Sequence, residues 1–231
     1  MLLAQLWSDF IQLAFPNTCG GCKSALLADE DMVCTSCRLN FPLTHFHQMP
    51  ANNPMFDKFK GRLPIVHASA FMHFSDDGIV QSLAHEVKYK GACELGVQLG
   101  RWYGYHLSAT DIGHRFDCLV PVPLHRERQK RRGYNQSACF ARGISEITGI
   151  PLREDLVFRS KATLSQVRME REQRVANTAD AFRLFADAST QNLKILIVDD
   201  VVTTGATIEA CAAPLIKGGC ETIGVLALAN V

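Results

Sequence analysis

The sequence predicts an α/β fold, in which a parallel twisted sheet carries helices on both faces and follows a small N-terminal zinc-binding module with four cysteine ligands. Residues 118–123 and 193–198 are continuous apolar runs, which are typical of strands buried on both faces of a sheet. Helical stretches lie between such runs, as crossover connections between parallel strands require. We expect two units, an N-terminal one at residues 1–64, with a helix, the cysteine knuckle and a connecting segment, and the α/β domain at 65–231.

The size and charge of the chain limit its class. It has 231 residues, of which 47% are hydrophobic and 20% charged, and its formal net charge is +1. This composition is typical of one ordinary globular domain with a small addition. The net charge favours no class of partner, but 12 of the 24 basic residues lie between Arg126 and Arg174. Such a local excess suits phosphate or nucleic acid, and a solvated surface is the alternative.

The first residues show neither a secretory signal nor a membrane span. They include no basic residue and contain Asp9, and no uninterrupted apolar run reaches about 18 residues. Apolar residues recur from Leu2 to Ala14 at helical spacing, which predicts a helix docked on the protein's own core or, alternatively, on a membrane surface or partner. We therefore expect a cytoplasmic protein whose cysteines are thiols or metal ligands rather than disulfides. Five of them are predicted to be core thiols: Cys93, Cys118, Cys139, Cys211 and Cys220.

Connecting structure is predicted at residues 40–64, which contain four prolines and no clear period. The elements that follow alternate, and they are predicted at 70–74 (strand), 79–88 and 93–107 (helices), 118–123 (strand), 135–148 (helix), 193–198 (strand), 206–217 (helix) and 222–228 (strand). Asn135 can cap the helix that it begins, and Gly218 stops the later helix, which Pro214 should kink or shift. The basic residues after 123 are predicted to form a loop.

The four N-terminal cysteines have the spacing of a zinc site. Cys19 and Cys22 form one pair, Cys34 and Cys37 form the other, and eleven residues separate the pairs. Each pair can occupy one edge of a tetrahedron, whereas a redox dithiol needs one pair and an iron–sulfur site usually shows other spacing. Four thiolates leave no open coordination position, so the predicted role of the Zn²⁺ is structural.

Two adjacent acids and a hydroxyl-rich turn follow the apolar strand at 193–198. Asp199 and Asp200 stand at the carboxyl end of that strand, where ligands bind in parallel sheets. In the turn at 203–207, Gly205 permits positive φ, so that backbone amides and the next helix N-terminus can hold a phosphate. Carboxylates accept hydrogen bonds from sugar hydroxyls, and the combination therefore predicts a phosphosugar site. The acids could instead hold Mg²⁺ alone, or the turn could be an ordinary capped helix entry.

The segment VDDVVTTGAT resembles the 5-phosphoribosyl-1-pyrophosphate (PRPP) binding motif of type I phosphoribosyltransferases. The resemblance implies that Asp199 and Asp200 are the acids of a catalytic site and bind the ribose hydroxyls. It also implies that the turn binds the 5′-phosphate through Thr203, Thr204, Gly205, Ala206 and Thr207. Mg²⁺ would accompany PRPP in such a site.

PRPP also carries a pyrophosphate, which requires cations of its own. The basic segment after residue 123 can open at the same edge of the sheet, and arginine forks suit phosphate oxygens. The candidates for this role are Lys88, Lys90, Arg128, Arg131, Arg132 and Gly133. A solvated loop and a nucleic-acid patch are the alternatives for this segment. Three further candidates lie in a polar stretch predicted to form a mobile loop over the site, namely Gln166, Arg174 and Asn177.

These segments, in their order along the chain, resemble the ComF family of competence and DNA-utilisation proteins. The resemblance is carried by VKYKG, PVPLHRERQKRRGYNQ, the T-x-x-Q and R-x-x-N spacings, and VDDVVTTGAT, and it covers most of the chain. Departures are small, such as Tyr134 where phenylalanine is usual. The resemblance implies a phosphoribosyltransferase-like domain behind a zinc knuckle, linked to DNA uptake in natural transformation.

Two functions of different classes follow as hypotheses. In the first, the protein is an enzyme that binds Mg²⁺–PRPP and transfers the phosphoribosyl group to an acceptor that the sequence does not identify. In the second, it is a binding protein that contacts single-stranded DNA, or a DNA-uptake or processing protein, through the knuckle and the basic segment. A PRPP sensor without catalysis lies between the two.

Overall fold

The fold is described from a computed structural model, which covers residues 17–76, 78–89, 92–160 and 181–231. Several sequence predictions lie outside these described residues: the helix at 2–14, Lys90, Gln166, Arg174 and Asn177. None of the helices in the described ranges has the length and apolar character that a membrane crossing needs.

Helices and strands alternate from residue 65 onward, much as predicted. The helices are α1 (Thr35–Leu39), α2 (Pro54–Asp57), α3 (Ile79–Tyr89), α4 (Cys93–Ser108), α5 (Ile112–Arg115), α6 (Arg126–Arg132), α7 (Gln136–Thr148) and α8 (Ala206–Lys217). The strands are β1 (Ile65–His73), β2 (Cys118–Pro121), β3 (Val157–Arg159), β4 (Phe182–Leu184), β5 (Lys194–Val202) and β6 (Thr222–Asn230). One turn of 3₁₀ helix, Phe46–Gln48, lies before α2. Pro214 lies inside α8, where it precludes one backbone hydrogen bond.

Four strands form a fully parallel sheet in the order β1-β6-β5-β2. Residues Val198 and Leu226 are partners across β5 and β6, and Pro121 lies opposite Val198 on β2. Because the strands are parallel, their carboxyl ends meet at one edge of the sheet. The predicted fold class is confirmed, and the strand β5 is longer than predicted because it continues through both aspartates.

The side chains of the sheet alternate between two apolar cores. On β5, Leu196 and Val198 face a core formed with α3, α4, α7 and the cysteine module, whereas Ile195 and Ile197 face a core formed with α2 and α8. All four side chains are fully buried. Continuous apolar sequence is therefore required in this strand, because both of its faces are covered.

Loop segments cover both edge strands of the sheet. At β1, the amide of Thr44 donates to the carbonyl of Phe71 at 3.1 Å. At β2, the amide of Leu119 donates to the carbonyl of Pro151 at 2.8 Å, and the carbonyl of Leu119 accepts from Arg153 at 2.9 Å. Backbone groups that an edge strand would otherwise leave open are thereby satisfied.

The helices α4 and α7 approach each other closely because glycines face each other at their crossing. A Cβ atom added at Gly100 would collide with the carbonyl oxygen of Phe140, and one added at Gly143 would collide with that of Val97. The contact fixes α7, whose N-terminus points toward the carboxyl edge of the sheet. Glycine is required at these positions because the two helix backbones are in contact, and not because the φ angles are unusual.

Cys93 and Cys139 form a disulfide between the start of α4 and the first turn of α7. The prediction that all cysteines are thiols or metal ligands is therefore wrong for this pair. Sequence reasoning missed it because the two residues are 46 positions apart, and only the close contact of α4 and α7 brings them together. The other predicted core thiols that are buried, Cys118 and Cys211, are free.

A two-stranded antiparallel ribbon, β3 and β4, was not predicted. Its strands have three residues each, which is too short for a clear alternating pattern. Phe158 and Phe185 pack at a ring-centroid distance of 5.0 Å beside the ribbon. At the end of β3, Arg159 forms an isolated parallel β-bridge with His125, the residue just before α6.

The α4–α7 contact gives the first testable prediction. We expect Gly100→Ala to lower the free energy of unfolding by about 3 kcal/mol, since the added methyl group must displace backbone of α7. Urea unfolding followed by circular dichroism measures the change. The control is Gly113→Ala in α5, where the nearest heavy atom, Thr148 O, lies at 3.5 Å. Equal stability of the two variants would contradict the close contact.

Candidate functional site

Both acids of the predicted motif contact the N-terminus of α7. The hydroxyl of Ser137 donates to Oδ1 of Asp199 at 3.1 Å, and the side-chain Nε2 of Gln136 donates to Oδ2 of Asp200 at 3.1 Å. The helix itself is capped by Asn135, whose Oδ1 accepts from the amide of Ser137 at 3.1 Å, as the sequence predicted. A helix N-terminus favours negative charge. Each of the two carboxyl groups therefore has a partner in the first turn of α7.

The two carboxyl groups differ in their electrostatic surroundings. Burial, and then the negative charge of Asp200, raise the pKa of Asp199 above its usual value. Burial acts on Asp200 as well, but the ammonium of Lys88, 3.1 Å from Oδ2, and the amide of Gln136 outweigh it and lower the pKa of Asp200. Neighbouring acids whose pKa values move apart are a frequent feature of functional sites.

The turn after β5 has the geometry that anion binding requires. Gly205 adopts φ +82°, which other residues rarely adopt. The amide of Glu209 donates to the carbonyl of Gly205 at 3.0 Å, and amides before that position have no partner within the helix. A small cavity of about 30 Å³ lies here and is lined by Asp199 and by residues 201–208. One of the two acids and the turn thus face a common space.

Two cations that the sequence analysis did not single out reach the turn from the segment before β1. Lys58 contacts the carbonyl of Thr203, and Arg62 contacts the carbonyl of Thr204. More than 140 residues separate the partners in sequence. No local pattern in the sequence indicates such a contact, since both residues lie in what was predicted to be connecting structure.

The basic segment is a helix, α6, and the prediction of a loop is wrong. Its seven residues are all good helix formers, without glycine or proline. The ring of His125 caps its start by accepting from the amide of Glu127 at 3.4 Å. Gly133, with φ +88°, ends it. Gly133 thus lies at the end of α6, and its role at the pyrophosphate stays a prediction.

The candidate pyrophosphate cations are distributed unevenly around the acids. Lys88 contacts Asp200 directly, and Arg132 donates to Oε1 of Gln136, which in turn contacts Asp200. Arg131 is exposed and Arg128 is partly exposed on α6. The structure therefore brings Lys88 and Arg132 to the site and leaves the other two on the helix surface beside it.

An open cleft of about 630 Å³ lies between α6 and the β3–β4 ribbon. Its walls carry Arg126, Arg159 and the paired rings of Phe158 and Phe185. Burial, followed by the charge of Arg128, lowers the pKa of Arg159. Cationic groups interleaved with aromatic rings suit planar, anionic ligands.

The four N-terminal cysteines form a cluster that fits a tetrahedral metal ion. Their Sγ atoms all lie within 4.8 Å of one another, and the Sγ atoms of Cys22 and Cys34 are 3.7 Å apart. A Zn–S bond of about 2.3 Å gives a tetrahedral edge of about 3.8 Å. Backbone amides also point at the sulfurs, as that of Cys34 does at Sγ of Cys19 at 3.2 Å. The cluster can therefore hold a metal such as zinc.

The cysteine module is attached to α3, the helix that carries Lys88. Lys23 forms an ion pair of 2.5 Å with Glu86, and Gly21 lies so close to Ile79 that a Cβ would be 3.0 Å from its side chain. Cys19 and Cys37 belong to the same apolar core as the helices. The position of the module is thus fixed relative to the acids.

Comparison with curated proteins identifies DNA-utilisation and competence proteins as relatives. DNA utilization protein YhgH of Salmonella typhimurium (strain LT2) is 32% identical over 149 residues, which cover 63% of this chain and 65% of that protein. YhgH of Escherichia coli (strain K12) is 29% identical, covering 91% and 88%. Competence protein F of Haemophilus influenzae is 36% identical, covering 49% and 50%. The match thus spans just under two thirds of the Salmonella relative.

Comparisons with protein-family models and with solved structures do not identify a family. No protein-family model matches the chain. Among solved structures, a purine phosphoribosyltransferase from Pyrococcus horikoshii Ot3 has a TM-score of 0.36 and 19% identity, over 58% of this chain and 73% of that one. This score is low, so the fold class follows from the strand order and the parallel register given above.

The buried acid gives a prediction about stability and pH. A carboxyl group whose pKa is raised by folding stabilises the fold at low pH, and this contribution is lost as the pH rises above about 4, the unfolded value. We therefore expect Asp199→Asn, in the absence of ligand, to be more stable than the wild type by on the order of 1–3 kcal/mol at pH 8. The difference should vanish toward pH 4, as measured by urea unfolding.

A matched control for this substitution is Asp111→Asn, which removes a carboxyl group that is 71% exposed at the start of α5. Its stability should follow that of the wild type at every pH. If Asp199→Asn were less stable than the wild type at pH 8, the Asp199 carboxylate would be a stabilising charge, and the account of its burial would be wrong.

Proposed function

Because the chain belongs to the ComF family of competence and DNA-utilisation proteins, we propose that it binds Mg²⁺–PRPP and transfers the phosphoribosyl group to an acceptor during DNA uptake or utilisation. The observation that carries the proposal is the placement of Asp199 and Asp200 at the N-terminus of α7, next to a turn that lines one cavity together with Asp199. A ligand that uses both features needs a diol at one end and a phosphate at the other.

In this proposal the ribose lies across the carboxyl ends of β5 and β2. Asp199 and Asp200 accept hydrogen bonds from its 2′- and 3′-hydroxyls, and the turn at 203–207 receives the 5′-phosphate through its amides and hydroxyls. Asp200, whose pKa is lowered, also places negative charge beneath the ring. That charge favours the cation-like ribose which forms as pyrophosphate departs.

The leaving pyrophosphate requires positive charge on the other side of the ribose. Lys88 and Arg132 are the described candidates closest to the acids, through their contacts with Asp200 and Gln136. Arg128 and Arg131 on α6, together with Lys90, Gln166, Arg174 and Asn177, extend the proposed set. Mg²⁺ bound with the substrate would neutralise part of the pyrophosphate charge.

The proposal includes the organisation of the chain and its location. We assign the transferase to residues 65–231 and a supporting role to residues 1–64, in a cytoplasmic protein. The proposal names no acceptor, since the DNA-utilisation and competence relatives are named for a process rather than for a base. A DNA-uptake or processing protein is the partner that those names favour.

Titration calorimetry of PRPP with Mg²⁺ tests the proposal. We expect binding by the wild type and a loss of about ten- to hundredfold in Asp200→Asn, since a hydrogen bond to a charged group contributes about 1.5–3 kcal/mol. Asp111→Asn, at the opposite edge of the sheet, should bind as the wild type does. Release of pyrophosphate in the presence of an acceptor then separates a transferase from a sensor.

A second candidate function is favoured by the cleft between α6 and the ribbon. Its cations and aromatic pair suit single-stranded DNA, whose phosphates and bases they could contact in turn. Binding of that kind weakens steeply with salt and survives Asp200→Asn. The absence of PRPP binding in the wild type, together with such DNA binding, would replace the transferase by this second function.

We also propose that the cysteine cluster holds one structural Zn²⁺ through Cys19, Cys22, Cys34 and Cys37. Four thiolates form a closed site that supplies folding energy rather than catalysis. The cluster fits this ion because its sulfur separations match a tetrahedral edge.

Zinc analysis of the purified protein tests this assignment. We expect about one equivalent per chain, and its loss, with a lowered melting temperature, in Cys22→Ser. The control is Cys220→Ser, a partly exposed free cysteine outside the cluster, which should retain the metal. A full equivalent of zinc in Cys22→Ser would exclude the four-thiolate site.

A further inference from the structure

A turn that offers its amides to an anion presents carbonyl groups on its opposite side. Each peptide unit carries its N–H and C=O in opposing directions, so the orientation of the carbonyls determines the orientation of the amides. At the turn after β5, the carbonyl side is occupied. Nζ of Lys58 donates to the carbonyl of Thr203 at 2.7 Å, and Nη1 of Arg62 donates to that of Thr204 at 3.0 Å.

Lys58 is itself held in place by two other oxygens. It donates to Oδ1 of Asn230 at 2.9 Å and to the main-chain oxygen of Val231 at 2.6 Å. Three acceptors thus match the three donors of an ammonium group. The burial of Lys58 lowers its pKa. The side chain therefore ties the turn to the end of β6, the neighbouring strand.

Arg62 makes a second connection, to the helix that follows the turn. Its Nε lies 2.5 Å from Oε1 of Glu209 in the first turn of α8, and its Nη1 also donates to the carbonyl of Lys58 at 2.9 Å. Glu209 is the residue whose amide makes the helical hydrogen bond to Gly205. Arg62 therefore contacts the turn at Thr204 and the start of α8 at Glu209.

Phe59 lies between Lys58 and Arg62 in the sequence and packs against the turn at Gly205. Its side chain is fully buried, and a Cβ at Gly205 would lie 2.6 Å from its ring. The segment is anchored by Asn53, whose Oδ1 accepts from the amides of Met55 and Phe56 at 3.0 Å each. One short stretch of chain thus contacts three successive residues of the turn from behind.

We propose that Lys58 and Arg62 are positioning residues for the phosphate-binding turn, and that they act by orienting its amides without touching the ligand. The proposal rests on the proposed function, because the ligand of the turn is the 5′-phosphate of PRPP. The ligand chemistry that the pair serves is a phosphomonoester on a pentose. The segment before β1 lies outside the predicted α/β domain at 65–231. It nevertheless contributes to the binding site of that domain.

Separate binding measurements with ribose 5-phosphate and with pyrophosphate, the two halves of PRPP, distinguish this role from a general effect on the fold. Ribose 5-phosphate occupies the turn and the acids, whereas pyrophosphate occupies neither. We expect Lys58→Met and Arg62→Met each to weaken ribose 5-phosphate binding about tenfold, the low end of what outer-shell partners contribute. Binding of pyrophosphate should be unchanged, and Lys58→Arg should recover part of the loss.

Lys60→Met is the matched control. Lys60 lies between the two positions and pairs only on the surface with Asp57, where its side chain is 61% exposed. This variant should bind ribose 5-phosphate as the wild type does. Hydrogen exchange of the Glu209 amide, which is bonded to the carbonyl of Gly205, should accelerate without ligand in Lys58→Met and in Arg62→Met but not in Lys60→Met.

Each outcome decides between the two proposals. Unchanged affinity for ribose 5-phosphate in both Lys58→Met and Arg62→Met would overturn the positioning role. Equal weakening of pyrophosphate and ribose 5-phosphate would overturn it too, because that result indicates a general loss of structure. Wild-type binding of ribose 5-phosphate without binding of PRPP would remove the transferase and leave the positioning role intact. A wild type that binds neither would remove both.

Discussion

The structure depends on the contact between two acids at the end of β5 and the N-terminus of α7. Isolated buried carboxyl groups are costly, and here Ser137, Gln136 and Lys88 supply the compensating partners. The contact forms because α7 packs closely against α4, where Gly100 and Gly143 let the two helix backbones touch. Packing far from the site therefore determines where its charge lies.

The cysteine module takes part in this arrangement through a continuous set of contacts. Lys23 holds Glu86 on α3, and Lys88, two residues later on that helix, reaches Asp200. A small module that cannot form a core by itself gains one by sharing the apolar side chains of the helices. The cysteine module thus supports the same helix that neutralises one of the acids.

Local patterns predicted much of the fold and part of the site. Continuous apolar runs identified β2 and β5, the cap at Asn135 identified α7, and the motif at 198–207 placed the acids and the turn at one edge. The helix α6 was missed because charge was given more weight than helix propensity. The Cys93–Cys139 disulfide and the contacts of Lys58 and Arg62 join residues distant in sequence, and nothing in the neighbouring residues encodes such partners.

The covered edges of the sheet limit how this protein can associate with others. Strand addition, a common way for one chain to recruit another, needs a row of open backbone donors and acceptors. Here the backbone beside Thr44 and Leu119 already bonds to the chain's own loops. Recognition of a partner at these two edges of the four-stranded sheet must therefore use side chains rather than sheet extension.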